Sequence, residues 1–139
     1  MRDELRAAAT IENVRRISDF VRDKGRRLGL PDDVLFDIDL AVEEASANIV
    51  RHAYEPGQEG DIQVRIEAVD GDIRITLTDW GQPFEADAAY LAVDVPVEVR
   101  AEGGMGVLLI HKSMDEVTRV TGAAPGGPNV LTMVKHIGR

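Results

Sequence analysis

Three polar side chains recur every four residues in the segment 40–53, and their types suit phosphate chemistry. Glu44, Asn48 and His52 would share one face of a helix, whereas Val42 and Ile49 lie on another face, which belongs in the core. A carboxylate and a carboxamide in a largely buried helix cost free energy unless something pairs with them. A hydrated magnesium ion would do so, because Mg²⁺ accepts a few protein oxygens beside phosphates and water. Glu44 could then take a proton from an incoming hydroxyl; the alternative is that these side chains are ordinary exposed residues.

A second candidate segment is Asp79-Trp80-Gly81, which directly follows an alternating strand pattern. An aspartate at a strand end can accept a hydrogen bond from an exocyclic amine such as that of adenine. Gly81 leaves room for a flat ligand to approach the backbone. The alternative is an ordinary turn of the Asp-Gly type.

The third candidate is the run Gly103-Gly104-Met105-Gly106, which opens an apolar helix. Glycines there let backbone N–H groups converge on phosphate oxygens at the positive end of the helix. The run matches neither the dinucleotide-binding nor the P-loop pattern. It holds no lysine or arginine, so magnesium would have to supply positive charge, which leads back to Asn48. A flexible hinge is the alternative.

Taken in order, these segments resemble the GHKL ATP-binding (Bergerat) fold of type II topoisomerases, sensor histidine kinases and anti-sigma factor kinases. The residues that carry the resemblance are Glu44 and Asn48 for its N box, Asp79 and Gly81 for its first glycine box, Gly104 and Gly106 for its second, and Thr132 for the strand threonine that supports the adenine pocket. Residues 40–54 and 102–117 are similar to the "EA-x-x-N-x-x-x-HAY" and "GGxG…MDEV" segments of GHKL-fold anti-sigma factor serine/threonine kinases, the RsbW and SpoIIAB type.

The resemblance implies an activity and a set of roles. Members bind ATP with Mg²⁺ and phosphorylate a serine of a small STAS-domain anti-sigma factor antagonist. They also sequester a sigma factor, usually as homodimers, and phosphorylation makes the antagonist let go. Here Glu44 would be the general base, Asn48 the Mg²⁺ ligand and Asp79 the acceptor for the adenine amino group. The remaining nucleotide-binding positions would be Gly81, Gly104, Met105, Gly106 and Thr132.

The hydrophobic periodicity predicts the elements that must position these residues. Steps of three, four and seven predict a helix at about 11–28, acidic residues at 32–33 suit the start of a second helix at about 33–54, and an apolar run predicts a third at 107–114. Alternation predicts strands at 62–68 and 73–77, and two further strands are expected at 117–121 and 130–134. A short edge strand is expected at 5–8 and a short helix near 87–91, within a lid at about 85–103. Helices grouped apart from hairpins indicate an α+β, two-layer fold: a mixed, mostly antiparallel sheet with helices on one face.

Composition sets the remaining bounds. With 139 residues and 44% apolar content, we expect residues 1–139 to form a single histidine-kinase-like ATPase domain. The formal net charge of −9 argues against direct nucleic acid or membrane binding. No cysteine is present, so disulfides and thiol catalysis are excluded. No apolar run approaches ~20 residues, and residues 1–10 lack the apolar segment of a signal peptide, so a cytoplasmic location is expected.

Two other functions stay open from sequence. In one, the ATP site serves a partner-switch module that sequesters a regulatory protein without significant kinase turnover. In the other, the chain is a small acidic adaptor and the three segments are coincidence. The opposite charges of the first two helices are either weakly attracting solvated faces or a surface for a partner.

Overall fold

The structure is a computed structural model that describes residues 1–82, 105–122 and 126–137. Its helices are α1 (Ile11–Arg27), α2 (Asp32–His52) and α3 (Met105–Ser113). Its strands are β1 (Arg2–Ala8), β2 (Asp61–Val69), β3 (Asp72–Asp79), β4 (Glu116–Val120) and β5 (Asn129–His136). Each helix and strand predicted in this part of the chain is present, with ends shifted by a few residues. The short helix expected near 87–91 and the lid lie outside the described residues.

The five described strands form one sheet in the order β1-β2-β3-β5-β4. All four pairings are antiparallel, so the described sheet is antiparallel rather than mixed. The two-layer α+β prediction is confirmed. Since β3 lies at the centre, a residue at its end can be contacted from both neighbouring strands.

Alternation decides which face of the sheet is covered. In β2, Ile62, Val64 and Ile66 are fully buried while the residues between them are partly exposed. The helices pack on this buried face and contribute the apolar stripe of α2 and residues such as Ile17 and Val21 of α1. Each fully buried aliphatic side chain is worth roughly 1.5–3 kcal/mol, so this layer fixes the rotation of α2 about its axis.

The hairpin between β2 and β3 is formed by Asp70 and Gly71, with φ of 49° and 81°. Two successive positive φ values are what a tight two-residue turn requires, and Asp-Gly is among the pairs that adopt them most readily. The register that follows places Ile62 opposite Asp79. The two-residue turn at 70–71 therefore sets which residue of β2 lies opposite Asp79.

Oppositely charged side chains join α1 to α2. The guanidinium of Arg22 donates to Asp39 at 2.8 Å and to Asp19 at 3.3 Å. The hydrogen bond to Asp39 raises the pKa of Arg22, although its burial acts in the opposite direction. At this point the two charged helix faces attract each other. Among the helices in the described ranges, none has the length and apolar character needed to cross a bilayer.

Candidate functional site

The C-terminal half of α2 carries the residues predicted to face the phosphates. Asn48 is 1% exposed, and Glu44, one turn earlier, is half-buried. The alternative that both are ordinary exposed residues is therefore wrong. His52, one turn later, is also half-buried, and we assign it no role.

The Glu44 carboxylate lies against the first turn of α3. A Cβ atom placed on Gly106, the second residue of α3, would lie 2.5 Å from Oε2 of Glu44. Only a residue without a side chain leaves room for the carboxylate there. The N-terminus of a helix carries partial positive charge, so this end of α3 attracts a carboxylate and would attract a phosphate. The structure thus brings together Glu44 and Gly106, two of the residues assigned to the site from sequence.

Asp79 ends β3 and is fully buried. Its Oδ1 accepts hydrogen bonds from the backbone N–H of Gly81 at 3.0 Å and from Nδ2 of Asn129 at 2.8 Å. Its Oδ2 accepts from the guanidinium Nη2 of Arg119 at 3.3 Å. A carboxylate offers roughly four acceptor positions, so these protein donors leave about one for a donor on a ligand. An ordinary exposed Asp-Gly turn would not be buried in this way.

Asn129 connects three backbone segments around this carboxylate. It is the partner of Asp79 in the pairing of β3 with β5. Besides its bond to Asp79, its Nδ2 donates to the carbonyl oxygen of Gly81 at 2.8 Å, and its Oδ1 accepts from the N–H of Gly122 at 3.0 Å. Asn129 is 1% exposed, so its amide group is committed to holding the end of β3 and the turn after it.

Gly81 packs directly on the C-terminal end of α2. A Cβ atom on Gly81 would overlap the carbonyl oxygen of Ala53 and lie 2.6 Å from its carbonyl carbon. The next N–H, that of Gln82, donates to the same carbonyl oxygen at 2.7 Å. Because both neighbours are backbone atoms, the close approach depends on glycine. The turn after Asp79 is thereby fastened to the helix that carries Asn48.

Tyr54 makes a second connection between these parts. Its hydroxyl donates to the carbonyl oxygen of Asp61 at 2.7 Å and accepts from the N–H of Trp80 at 3.0 Å. Burial is the largest cause that raises the pKa of this hydroxyl above its usual value of 10.0. On the far side, the guanidinium of Arg6 lies over the Trp80 ring, 4.3 Å from its centroid.

The structure does not bring Thr132 to this cluster. Thr132 pairs with Thr76 of β3 and is three residues from Asn129, so its side chain points to the opposite face of the sheet from that of Asn129. Along the strand it is about 10 Å away. The place expected for Thr132 beside Asp79 is held by Asn129. Gly104 lies outside the described residues, and Met105 is the first residue of α3.

The side chains of this site suit a metal ion that is held mainly by bound phosphates rather than by the protein. Among the residues in the described ranges, no group of three or more histidine, cysteine, aspartate or glutamate side chains could hold a metal ion. Asn48 and Glu44 nevertheless offer one amide and one carboxylate oxygen on one helix face. Magnesium is commonly bound in this way, by one or two protein oxygens with phosphates and water completing its shell.

Two residues of the site were not found from sequence. Arg119 occupies an inward position of β4, and Asn129 is the first residue of β5. The signal for Asn129 is its register: once β5 is paired with β3, residue 129 faces residue 79. The signal for Arg119 is its position in β4: it lies two residues after Val117, on the inward face of the strand, where an apolar residue would be expected.

Comparison with known proteins places this geometry in a family. The sequence profile of the histidine kinase-like ATPase domain matches residues 7–135. The serine-protein kinase RsbW of Staphylococcus aureus (strain bovine RF122 / ET3-1) is 33% identical over 121 residues, which cover 83% of this chain and 76% of that protein.

Solved structures show the same fold. The RsbU and RsbW domains of a Mycobacterium tuberculosis protein superpose with a TM-score of 0.70 and 23% identity, covering 99% of this chain and 33% of that one. In the SiaB–SiaC complex of Pseudomonas aeruginosa, the matching chain superposes with a TM-score of 0.64 and 13% identity, covering 94% of this chain and 88% of that one.

Proposed function

Because the chain belongs to the histidine kinase-like ATPase domain family, as an RsbW-like protein serine kinase, we propose that it binds Mg·ATP and phosphorylates a serine of a STAS-type anti-sigma factor antagonist. The observation that carries the proposal is the contact between Glu44 and the first turn of α3 at Gly106. It sets a carboxylate at the helix end that suits phosphate oxygens, one turn from the amide of Asn48.

Glu44 is the general base in this proposal. The serine hydroxyl of the partner approaches the γ-phosphate, and the Glu44 carboxylate takes its proton as the oxygen–phosphorus bond forms. The bond between the γ-phosphorus and the β,γ-bridging oxygen breaks, and ADP leaves. Such transfers depend mainly on positioning and on stabilising charge, and the first turn of α3 does both because it holds Glu44 and faces the phosphates.

Asn48 and Asp79 bind the two ends of the nucleotide. The amide oxygen of Asn48 would hold the magnesium ion, which when bound neutralises charge on the phosphates. Asp79 accepts a hydrogen bond from the adenine amino group at the acceptor position that its protein donors leave. The hydrogen bonds from Gly81, Asn129 and Arg119 fix the carboxylate for that contact.

The partners follow from the type of kinase. We propose that the chain, as a homodimer, holds a sigma factor when the antagonist is phosphorylated and releases it when the unphosphorylated antagonist binds. A module that binds ATP and sequesters its partner without turnover is the competing function. The position of Glu44 favours the kinase, because binding alone requires no base beside the phosphates.

The test is phosphotransfer to a STAS-domain protein with ATP labelled at the γ-phosphate. We expect label on a serine with the wild-type chain, and a loss of at least ~100-fold with Glu44→Gln, in the range of general-base catalysis. ATP affinity, measured separately by calorimetry, should change less than about threefold, because Glu44 acts on the hydroxyl. Glu43→Gln, a half-buried neighbour on the same turn, is the matched control.

The outcomes separate the two functions. Tight ATP binding without label on any STAS-domain protein tested would favour the sequestering module. Full transfer by Glu44→Gln would refute the base assignment but leave the kinase standing. Failure of the wild-type chain to bind ATP with magnesium would refute the proposal as a whole.

A further inference from the structure

Arg119 is an unusual residue for its place in the sheet. It lies in β4, an edge strand in which it alone is buried, while the next residue, Val120, is 66% exposed. The Arg119 side chain is 1% exposed and its ion-pair partner, the Asp79 side chain, is 0% exposed. A guanidinium is rarely buried this deeply unless it is paired.

Stability alone is a weak reason for such a pair. Taking two charges out of water costs free energy that their attraction often fails to recover, and apolar residues of similar volume are often as good or better. An apolar residue would also suit position 119, since Leu131, the partner of Arg119 in the β4–β5 pairing, is itself buried. The carboxylate of this pair is the one that the proposed function assigns to the adenine amino group.

We infer that Arg119 is a positioning residue that holds the Asp79 carboxylate in a fixed orientation, and thereby makes the site selective for adenine over 6-oxopurines. This inference rests on the proposed role of Asp79 in nucleotide binding. Gly81 and Asn129 occupy Oδ1, and Arg119 takes one position on Oδ2. The position left on Oδ2 is therefore an acceptor, which suits the 6-amino group of adenine and repels a 6-oxo group.

Removing the guanidinium would weaken this discrimination. Without the guanidinium, Oδ2 of Asp79 loses its protein donor, and the carboxylate is held through Oδ1 alone. The carboxylate can then turn, so that Oδ2 no longer faces the 6-position of the purine at a fixed angle. This weakens both the hydrogen bond to a 6-amino group and the repulsion of a 6-oxo group, and so reduces the difference between ATP and inosine triphosphate, which carries a 6-oxo group in place of the 6-amino group.

The experiment measures dissociation constants of ATP and inosine triphosphate for the full chain and three variants. We expect the wild type to prefer ATP, and Arg119→Met to lower the preference about tenfold, the size of one hydrogen bond to a charged group. Arg119→Lys, which keeps the charge, should retain most of the preference. Arg22→Met is the matched control, because Arg22 forms an ion pair with Asp39 outside the site and should leave the ratio unchanged.

Several results would overturn the inference. One is an unchanged preference for ATP over inosine triphosphate in folded Arg119→Met. Another is a loss of preference in Arg119→Lys as large as that in Arg119→Met. A third is an equal loss of preference in Arg22→Met, which would show a general effect of instability. If Arg119→Met does not fold, a crystal structure of the wild type with ADP decides. The guanidinium on Oδ2 beside the adenine amino group supports the inference, and a guanidinium turned away from Asp79 refutes it. Failure of the wild type to bind either nucleotide would instead refute the proposed function.

Discussion

The contact between Glu44 and Gly106 makes Gly106→Ala an informative substitution. The new methyl group would lie 2.5 Å from Oε2 of Glu44, whereas ordinary contacts begin at 3.4 Å, so the carboxylate must retreat by about 0.9 Å. The atom that has to move is the end of a flexible side chain, so the fold can accommodate the change. A displacement of about 1 Å at a reacting group can cost on the order of 100-fold in rate.

Stability and activity should therefore change independently in this variant. Replacing a helical glycine by alanine stabilises by roughly 0.5–1 kcal/mol, which offsets the cost of moving the carboxylate. We expect the free energy of unfolding, from urea titration, to remain within about 1 kcal/mol of the wild type. We expect the rate of phosphotransfer at saturating Mg·ATP, from single-turnover measurements, to fall about 100-fold.

A double-mutant cycle isolates the cause. If Gly106→Ala acts by displacing Glu44, it should have little further effect in a chain that already carries Glu44→Gln, because the base is absent there. An equal loss in both backgrounds would show that the methyl group interferes with the nucleotide instead. Transfer at the wild-type rate by Gly106→Ala alone would refute the geometry on which the base assignment depends.

Three further predictions concern the adenine end, the metal and pH. Gly81→Ala would drive a methyl group into the backbone carbonyl of Ala53, so the free energy of unfolding in urea should fall by about 1–3 kcal/mol; wild-type stability would contradict the close approach. Asn48→Ala should weaken Mg·ATP binding at least ~10-fold in calorimetry, and an unaltered affinity would count against its role as ligand. The raised pKa of Tyr54 means that the folded state holds the hydroxyl proton more tightly, so stability should decline above about pH 10.0. Tyr54→Phe should lack that component of the decline, as shown by urea titrations at several pH values.

Where the sequence has a clear period, that period was sufficient to predict the element. The alternation of Ile62, Val64 and Ile66 predicts β2, and the four-residue spacing of Glu44 and Asn48 predicts that they share a face of α2. Both patterns reflect burial on one side, which the core enforces. The antiparallel pairings could not be predicted in the same way, because periodicity shows which face of a strand is buried but not which strand lies beside it.

The adenine end shows where this limit matters. Thr132 was matched to the family threonine from its sequence context, but the register of β5 against β3 puts Asn129 opposite Asp79 and leaves Thr132 three residues away. A shift of an odd number of residues sends a side chain to the other face of the sheet. The contact between Arg119 and Asp79 depends on two registers, that of β5 against β3 and that of β4 against β5, because β4 pairs with β5 rather than with β3.

Helix α2 fixes how a nucleotide can be oriented between these residues. Ala53, which touches the turn after Asp79, is nine residues from Glu44, a separation of about 13 Å along a helix, and Asn48 is about 6 Å from Glu44. In the proposed arrangement the adenine contact therefore lies at the C-terminal end of α2 and the base about 13 Å back along the helix, with the metal ligand between them. An ATP molecule lying along α2 places its terminal phosphate at Glu44 only if its base is at the Asp79 end. The reverse orientation would set the carboxylate beside the purine, where no hydroxyl has to lose a proton. Since Ala45 on the core face of α2 is fully buried, the helix cannot rotate about its axis and turn Glu44 and Asn48 to another side without disrupting the core.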